Sequence, residues 1–336
     1  MNTERKLAKR VSYAKYGYVF SLPFIIAFLI FSMYPLLYTV VIGFTDLQGV
    51  GVTDFNFNWN VEGPDGNMLS PFHNFIDVFN SPLFRTALKN TIFIWMMNFI
   101  PQIVLSLALA SWFTNKMLKL KCVGFFKVLF YMPNIITAAS VAVLFSAMFA
   151  HPIGPMNDFL MRFGFADSPT HFLQNRAYAQ GLTAFIQFWM WYGVTMIILV
   201  AGVMGISPTL FEAAAIDGAN HFKTFFYVTL PSLRTVMLYT LVTSFVGGMQ
   251  MFDIPFLFHE GTPGAPQNST LTTSIFIYNQ AMLGMRRFNR AAAASVLMFI
   301  LILICSAVLF YLMRDKDAAK QKKEFKQREK ARRIKG

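Results

Sequence analysis

Between two long apolar segments the chain reads EAAAIDGANHFKTFFYVTLP, Glu212–Pro231, and this stretch holds the only carboxylates for many residues on either side. Just upstream, Ser207-Pro208 offers a helix start with proline in the first turn. Thr209 and Glu212 offer a second one, standing in the S/T-x-x-E spacing of a capping box, in which hydroxyl and carboxylate each satisfy the other residue's amide. The alanines after Glu212 favour helix. Gly218 can take the left-handed conformation that ends one, and Asn220 can cap a second helix running through Phe225 towards Leu230-Pro231, where proline resists continuation. The stretch therefore predicts helix, tight turn, helix, with two acids presented between membrane-length segments, and it reads as a surface on which a partner docks.

The 336 residues are 55% hydrophobic and 13% charged, too apolar for an ordinary soluble domain. Six segments suit a membrane crossing, which takes ~20 apolar residues. They are Tyr16–Thr45 (with Pro23 and Pro35 as kinks), Asn90–Asn115, Val128–Asn157, Ala177–Phe211, Thr235–Phe252 extended towards Phe258, and Ala291–Met313. The expected fold is an all-α integral membrane protein of six transmembrane helices. It divides into a cytoplasmic segment 1–15, a six-span domain 16–313 with the loop 205–231 between its fourth and fifth spans, and a basic tail 314–336.

A net charge of +13 does not indicate nucleic acid here, because the cations lie outside the apolar segments, where positive-inside topology accounts for them. With the N-terminus inside, 22 of the 29 Lys and Arg fall on the cytoplasmic side. The opposing signal is the cluster Arg286, Arg287 and Arg290, which this topology places outside. Asp46, Asp54, Glu62, Asp65 and Asp77 crowd the first outside loop, roughly 46–86, which reads as a small external cap. The tail, with eleven basic and four acidic residues, reads as a solvated extension holding the inside charge, with contact to anionic lipid as the sharper alternative.

The spacing E-A-A, three residues, G, nine residues, one apolar residue, x, L-P at Glu212, Ala213, Ala214, Gly218, Val228, Leu230 and Pro231 resembles the EAA loop of membrane subunits of binding-protein-dependent ABC importers. Val228 stands where that family has isoleucine. Asp217-Gly218-Ala219 and Thr229-Leu230-Pro231 are similar to the carbohydrate branch. So are His73-Asn74-Phe75, Met132-Pro133-Asn134 and Gly261-Thr262-Pro263, the last resembling the first of two sugar-permease subunits with one glycine replaced. The resemblance covers about 16–313. It implies that Glu212, Ala213, Ala214, Asp217, Gly218, Leu230 and Pro231 form a cytoplasmic coupling helix seated on a separate ATPase dimer. It also implies a second permease subunit, an extracytoplasmic solute-binding protein and a carbohydrate substrate, in a bacterial or archaeal cytoplasmic membrane with both termini inside.

No Gly-Lys dipeptide occurs, so a P-loop is absent and the chain is expected to be no enzyme: ATP and magnesium belong to the partner, and the chain needs no cofactor of its own. The five histidines are scattered and the two cysteines are far apart, so no metal site and no catalytic residue is assigned. The alternative function is an ion-gradient-driven secondary transporter of a small solute. The absence of carboxylates from the middle of every span disfavours it.

Residues four apart share a helix face, which groups Gln187, Trp191 and Thr195 in the fourth span and Tyr239, Thr243, Gly247 and Gln250 in the fifth. Polar groups avoid hydrocarbon, so these stripes are expected to face protein or water. An indole beside amides suits a sugar, whose C–H face stacks on an aromatic ring while its hydroxyls find partners, and both stripes are assigned to the substrate path. A third stripe, Asn98, Gln102 and Ser106, is read equally as path or as helix–helix glue.

Overall fold

The computed structural model describes residues 14–64, 66–115, 120–259, 262 and 264–313. Most of the basic N-terminal segment, Asp65, Lys116, Lys119, Gly261, Pro263 and the tail 314–336 lie outside them. The described residues are almost entirely helical, with two isolated β-bridges in place of any sheet, so the all-α expectation holds. Five helices are long and apolar enough to cross a membrane, and a bent pair brings the count to six.

The first span, Tyr16–Ile42, has no buried residue, and it meets the sixth span through its second part, Tyr34–Ile42. Pro35 does not break it. A π-turn at Leu29–Met33, closed by Tyr34 N–H to Leu29 O, precedes the proline, and the helix runs on through it to Ile42. The third span differs from the uninterrupted Val128–Asn157 of the sequence reading. It runs Val123–Ile135 and Ala138–Met148 with an 88° bend between the two parts. Pro133 tightens the first part into a 3₁₀ turn at Met132–Ile135, Ile136 is extended, and Thr137 caps the second part by accepting from the Ser140 amide at 3.3 Å.

The fourth span is Arg176–Met204 and stops short of Phe211, because Ser207 precedes Pro208 and is held out of the helical region at ψ 128°. It packs along the second span, Pro82–Thr114. Two polar contacts stitch the pair: Gln102 Nε2 donates to Thr195 Oγ1 at 2.7 Å, and Ser106 Oγ to Tyr192 O at 2.7 Å. Ser106 is thus glue. At Gly193 the fourth span meets the third so closely that an added Cβ would lie 2.2 Å from Phe130 O and 2.9 Å from Tyr131 Cα. In the sixth span, Phe288–Met313, the small residues Ala293 and Ala294 let Phe245, Met249, Ile275 and Phe276 approach into one apolar cluster.

At one end of the bundle the first loop folds back on the entry to the sixth span. Asn74 Nδ2 donates to Gly43 O and Thr45 O, Asn289 Nδ2 to Asn74 Oδ1, and Asn289 N to Leu47 O. Arg290 Nε lies 3.0 Å from Asp77 Oδ2. Arg290, which argued locally against the topology, is therefore neutralised by an acid of the cap at the same end. His259, just beyond the fifth span, is buried, and desolvation lowers its pKa to about 4, which makes it a neutral core histidine.

Candidate solute path and coupling loop

The second, fourth and fifth spans enclose a cavity of about 660 Å³, open on one side. All seven residues of the two sequence-derived stripes line it: Gln187, Trp191 and Thr195 from the fourth span, Tyr239, Thr243 and Gly247 from the fifth, and Gln250 at the fifth span's break. Asn98 and Gln102 of the third stripe line it as well, whereas Ser106 does not. Trp191 and Tyr239 are about half exposed, and both face this space.

The fifth span is not one continuous helix. It runs Arg234–Met249, opens at Gln250–Phe252, and resumes at Asp253–Leu257. Within lipid such an opening requires that the freed carbonyls find other donors. Two threonines supply them: Thr273 Oγ1 donates to Met249 O at 3.2 Å and Thr272 Oγ1 to Met251 O at 3.0 Å. Thr273 is itself held, its amide donating to Thr91 Oγ1 of the second span at 2.9 Å. The Thr270–Thr273 run, read from sequence only as part of a turn cluster, is what keeps the break open.

Gly248 explains why the break borders the cavity. A Cβ there would lie 2.0 Å from Trp95 Cδ1, so the indole rests directly on the fifth-span backbone while its Nε1 donates to Ser244 Oγ at 3.3 Å. Gly247, one residue earlier, has nothing within 4 Å and leaves open space. Sequence reasoning missed Trp95, Ser244 and Asp253, all of which line the cavity. The spacing of four would have put Trp95 beside Asn98 and Gln102 only with one helical step of tolerance, and Asp253 was counted merely as extra span length.

The loop after the fourth span forms the expected helix, turn and helix, with two corrections. The first helix is Pro208–Ile216 and starts from Ser207-Pro208; no Thr209–Glu212 capping box forms, because the Thr209 hydroxyl pairs with Ser207 Oγ at 2.8 Å. Gly218 ends it at φ +68°, with Ala219 N donating to Ala214 O and Gly218 N to Ala215 O, a Schellman closure. Asn220 Oδ1 then caps the second helix at Lys223 N, 2.9 Å. That helix does not yield at Pro231: a π-turn at Phe225–Thr229, closed by Leu230 N–H to Phe225 O, carries it through Leu230–Ser232.

Of the residues that the sequence resemblance assigns to coupling, Ala214 is buried, while Glu212, Ala213, Asp217, Gly218 and Pro231 are exposed and Leu230 is half-buried. Ile216, Phe222 and Tyr227 stand beside them, each at least 74% exposed. Asn115, at the end of the second span, lies 3.2 Å from His221 Nδ1 through its Nδ2, tying the loop to a span that lines the cavity.

This architecture, a polytopic bundle with an open cavity and a helical loop presented at one end, is that of a transport permease. The chain matches the family described as binding-protein-dependent transport system inner membrane component over residues 78–316, and it belongs to that family. It is 31% identical over 314 residues to the lactose transport system permease protein LacF of Rhizobium radiobacter, across 94% of this chain and 99% of that one. To the arabinooligosaccharides transport system permease protein AraP of Bacillus subtilis it is 27% identical over 297 residues, covering 87% and 86%. Its fold superposes on a chain of a bacterial ABC transporter that imports the acidic polysaccharide alginate, with TM-score 0.73 at 22% identity, covering 89% of this chain and 95% of that one. Membership in a binding-protein-dependent family decides against the stand-alone secondary transporter.

Proposed function

We propose that this chain forms half of the membrane path of an ATP-driven carbohydrate importer. The single observation that carries this is the cavity: an open, uncovered face on which Trp191 and Tyr239 offer rings beside the amides of Gln187 and Gln250. A second permease subunit closes the open side, an extracytoplasmic solute-binding protein delivers the solute, and an ATPase dimer with its own ATP and magnesium drives the cycle. Relatives named for lactose and for arabinooligosaccharides support a saccharide as cargo. The chain itself needs no cofactor and performs no catalysis.

Trp191→Ala and Gln250→Ala are each expected to lower saccharide uptake about tenfold or more, the size of a lost ring contact plus a lost hydrogen bond, while the assembled complex still binds nucleotide. Normal uptake in both variants, or failure of both to assemble, would show the stripes to be structural.

The loop 205–231 is the contact for the ATPase. Its two exposed acids, Glu212 and Asp217, suit a basic rim, and the exposed Ile216, Phe222 and Tyr227 are apolar surface awaiting a protein partner. Both termini and this loop lie in the cytoplasm of a bacterial or archaeal cell, and the cap with its Asp77–Arg290 pair lies outside. Cysteines introduced at 59 and 268 are expected to react with an impermeant maleimide in intact cells. One at 216 is expected to react only after lysis, and the opposite pattern would invert the topology.

A further inference from the structure

Among the described residues that line the cavity, Asp253 is the one with a charged side chain. It is exposed, and among the described residues no side chain or amide pairs with its carboxylate. It opens the short helix after the fifth-span break and lines the same cavity as Trp191 and Gln250. Along the fifth span, Tyr239 lies on the helix Arg234–Met249 and Asp253 on the segment after the break, 14 residues further on. Exposed and unpaired, the carboxylate is solvated by water in the cavity, and a ligand whose hydroxyls replace those waters keeps it satisfied.

We propose that Asp253 sets the charge class of the solute: it accepts hydrogen bonds from the hydroxyls of an uncharged saccharide and turns away saccharides bearing a carboxylate or sulfonate. This rests on the reading of the cavity as the solute path. Like charges about 5 Å apart in a partly wet protein channel disfavour binding on the order of a hundredfold, whereas hydroxyl donors to a carboxylate are among the stronger neutral-to-ion contacts. An ammonium group would also donate to a carboxylate, so a cationic probe is one arm of the test. The consequence is a difference from the alginate importer that shares this fold, whose cargo is acidic.

The experiment uses the complete importer in detergent without its binding protein, so that the channel alone selects, and reads binding by saturation-transfer NMR. The probes are lactose, arabinotriose and diacetylchitobiose, the aldonic acid made by oxidising each, and the amino disaccharide of chitosan as the cationic arm. Wild type is expected to bind at least one neutral probe and to disfavour its aldonate by on the order of a hundredfold. Asp253→Asn is expected to cut that ratio to within about threefold, while Asp253→Glu preserves it. Equal binding of a neutral probe and its aldonate by wild type overturns the inference. So does a ratio unmoved in Asp253→Asn, preference for the chitosan amine over every neutral probe, or no binding of any probe. Trp191→Ala serves as the control on the path itself. If it abolishes neutral binding while Asp253→Asn leaves the ratio unchanged, only the role of Asp253 fails; if it leaves neutral binding intact, the path reading fails instead.

Discussion

Replacing Gly193 by alanine is expected to lower the stability of the purified importer by about 3 kcal/mol, on the order of 10 °C in melting midpoint, or to prevent assembly. The added Cβ would meet backbone, Phe130 O at 2.2 Å and Tyr131 Cα at 2.9 Å, and not a side chain that can rotate away. Relief requires the fourth span to move off the third at the turn where Pro133 bends it. Gly181→Ala, on the same helix with nothing within 4 Å, is the control and is expected to be neutral or slightly stabilising through helix propensity. Equal melting of the two variants would mean that the close approach at Gly193 does not govern packing.

Gly218→Pro is expected to uncouple ATP hydrolysis from transport. Gly218 sits at φ +68°, which the proline ring cannot adopt, and its amide donates to Ala215 O. The substitution removes that bond and the turn with it, at a cost of ~3 kcal/mol or more. The first loop helix then loses its angle to the second, and Asn115–His221, the tie to the second span, loses its geometry. Uptake is expected to fall at least tenfold while the ATPase subunits keep their basal hydrolysis. Glu212→Ala, which leaves the turn intact, is expected to weaken ATPase association instead, since truncating one member of a desolvated charge pair costs ~2–5 kcal/mol. Wild-type uptake with normal association in both variants would remove the coupling role from this loop.

These two glycines differ in how they could be known. Gly218 was legible because helix termination is local: the glycine, the following Asn220 cap and the Ser207-Pro208 start act through residues a few positions away. Even there the sequence allowed two starts for the first loop helix, and the choice fell to a hydroxyl contact, Ser207 with Thr209, that competes with the capping box. Gly193 gave no signal, because its importance lies in the backbone of another span. The prolines show the same division. Pro23, Pro35 and Pro231 read as interruptions and Pro133 did not, yet Pro35 and Pro231 are absorbed by π-turns and Pro133 ends in an 88° bend. Which outcome follows depends on whether neighbouring helices and caps re-satisfy the freed backbone groups.

The sequence by itself determined that the chain crosses a membrane about six times, since charge-free runs of that length have no other stable place, and which helix faces are polar, since residues four apart share a face. Only the tertiary structure decided what each face meets. Asn98, Gln102 and Ser106 form one stripe, but the second and fourth spans converge at Ser106, where its hydroxyl is taken by Tyr192 O, and open at Asn98, which borders the cavity. Asp253 reaches that cavity because Thr272 and Thr273, some twenty residues further on, hold the fifth span open just before it. A helix break inside a span depends on donors from elsewhere in the chain, and those are fixed by packing and not by local pattern.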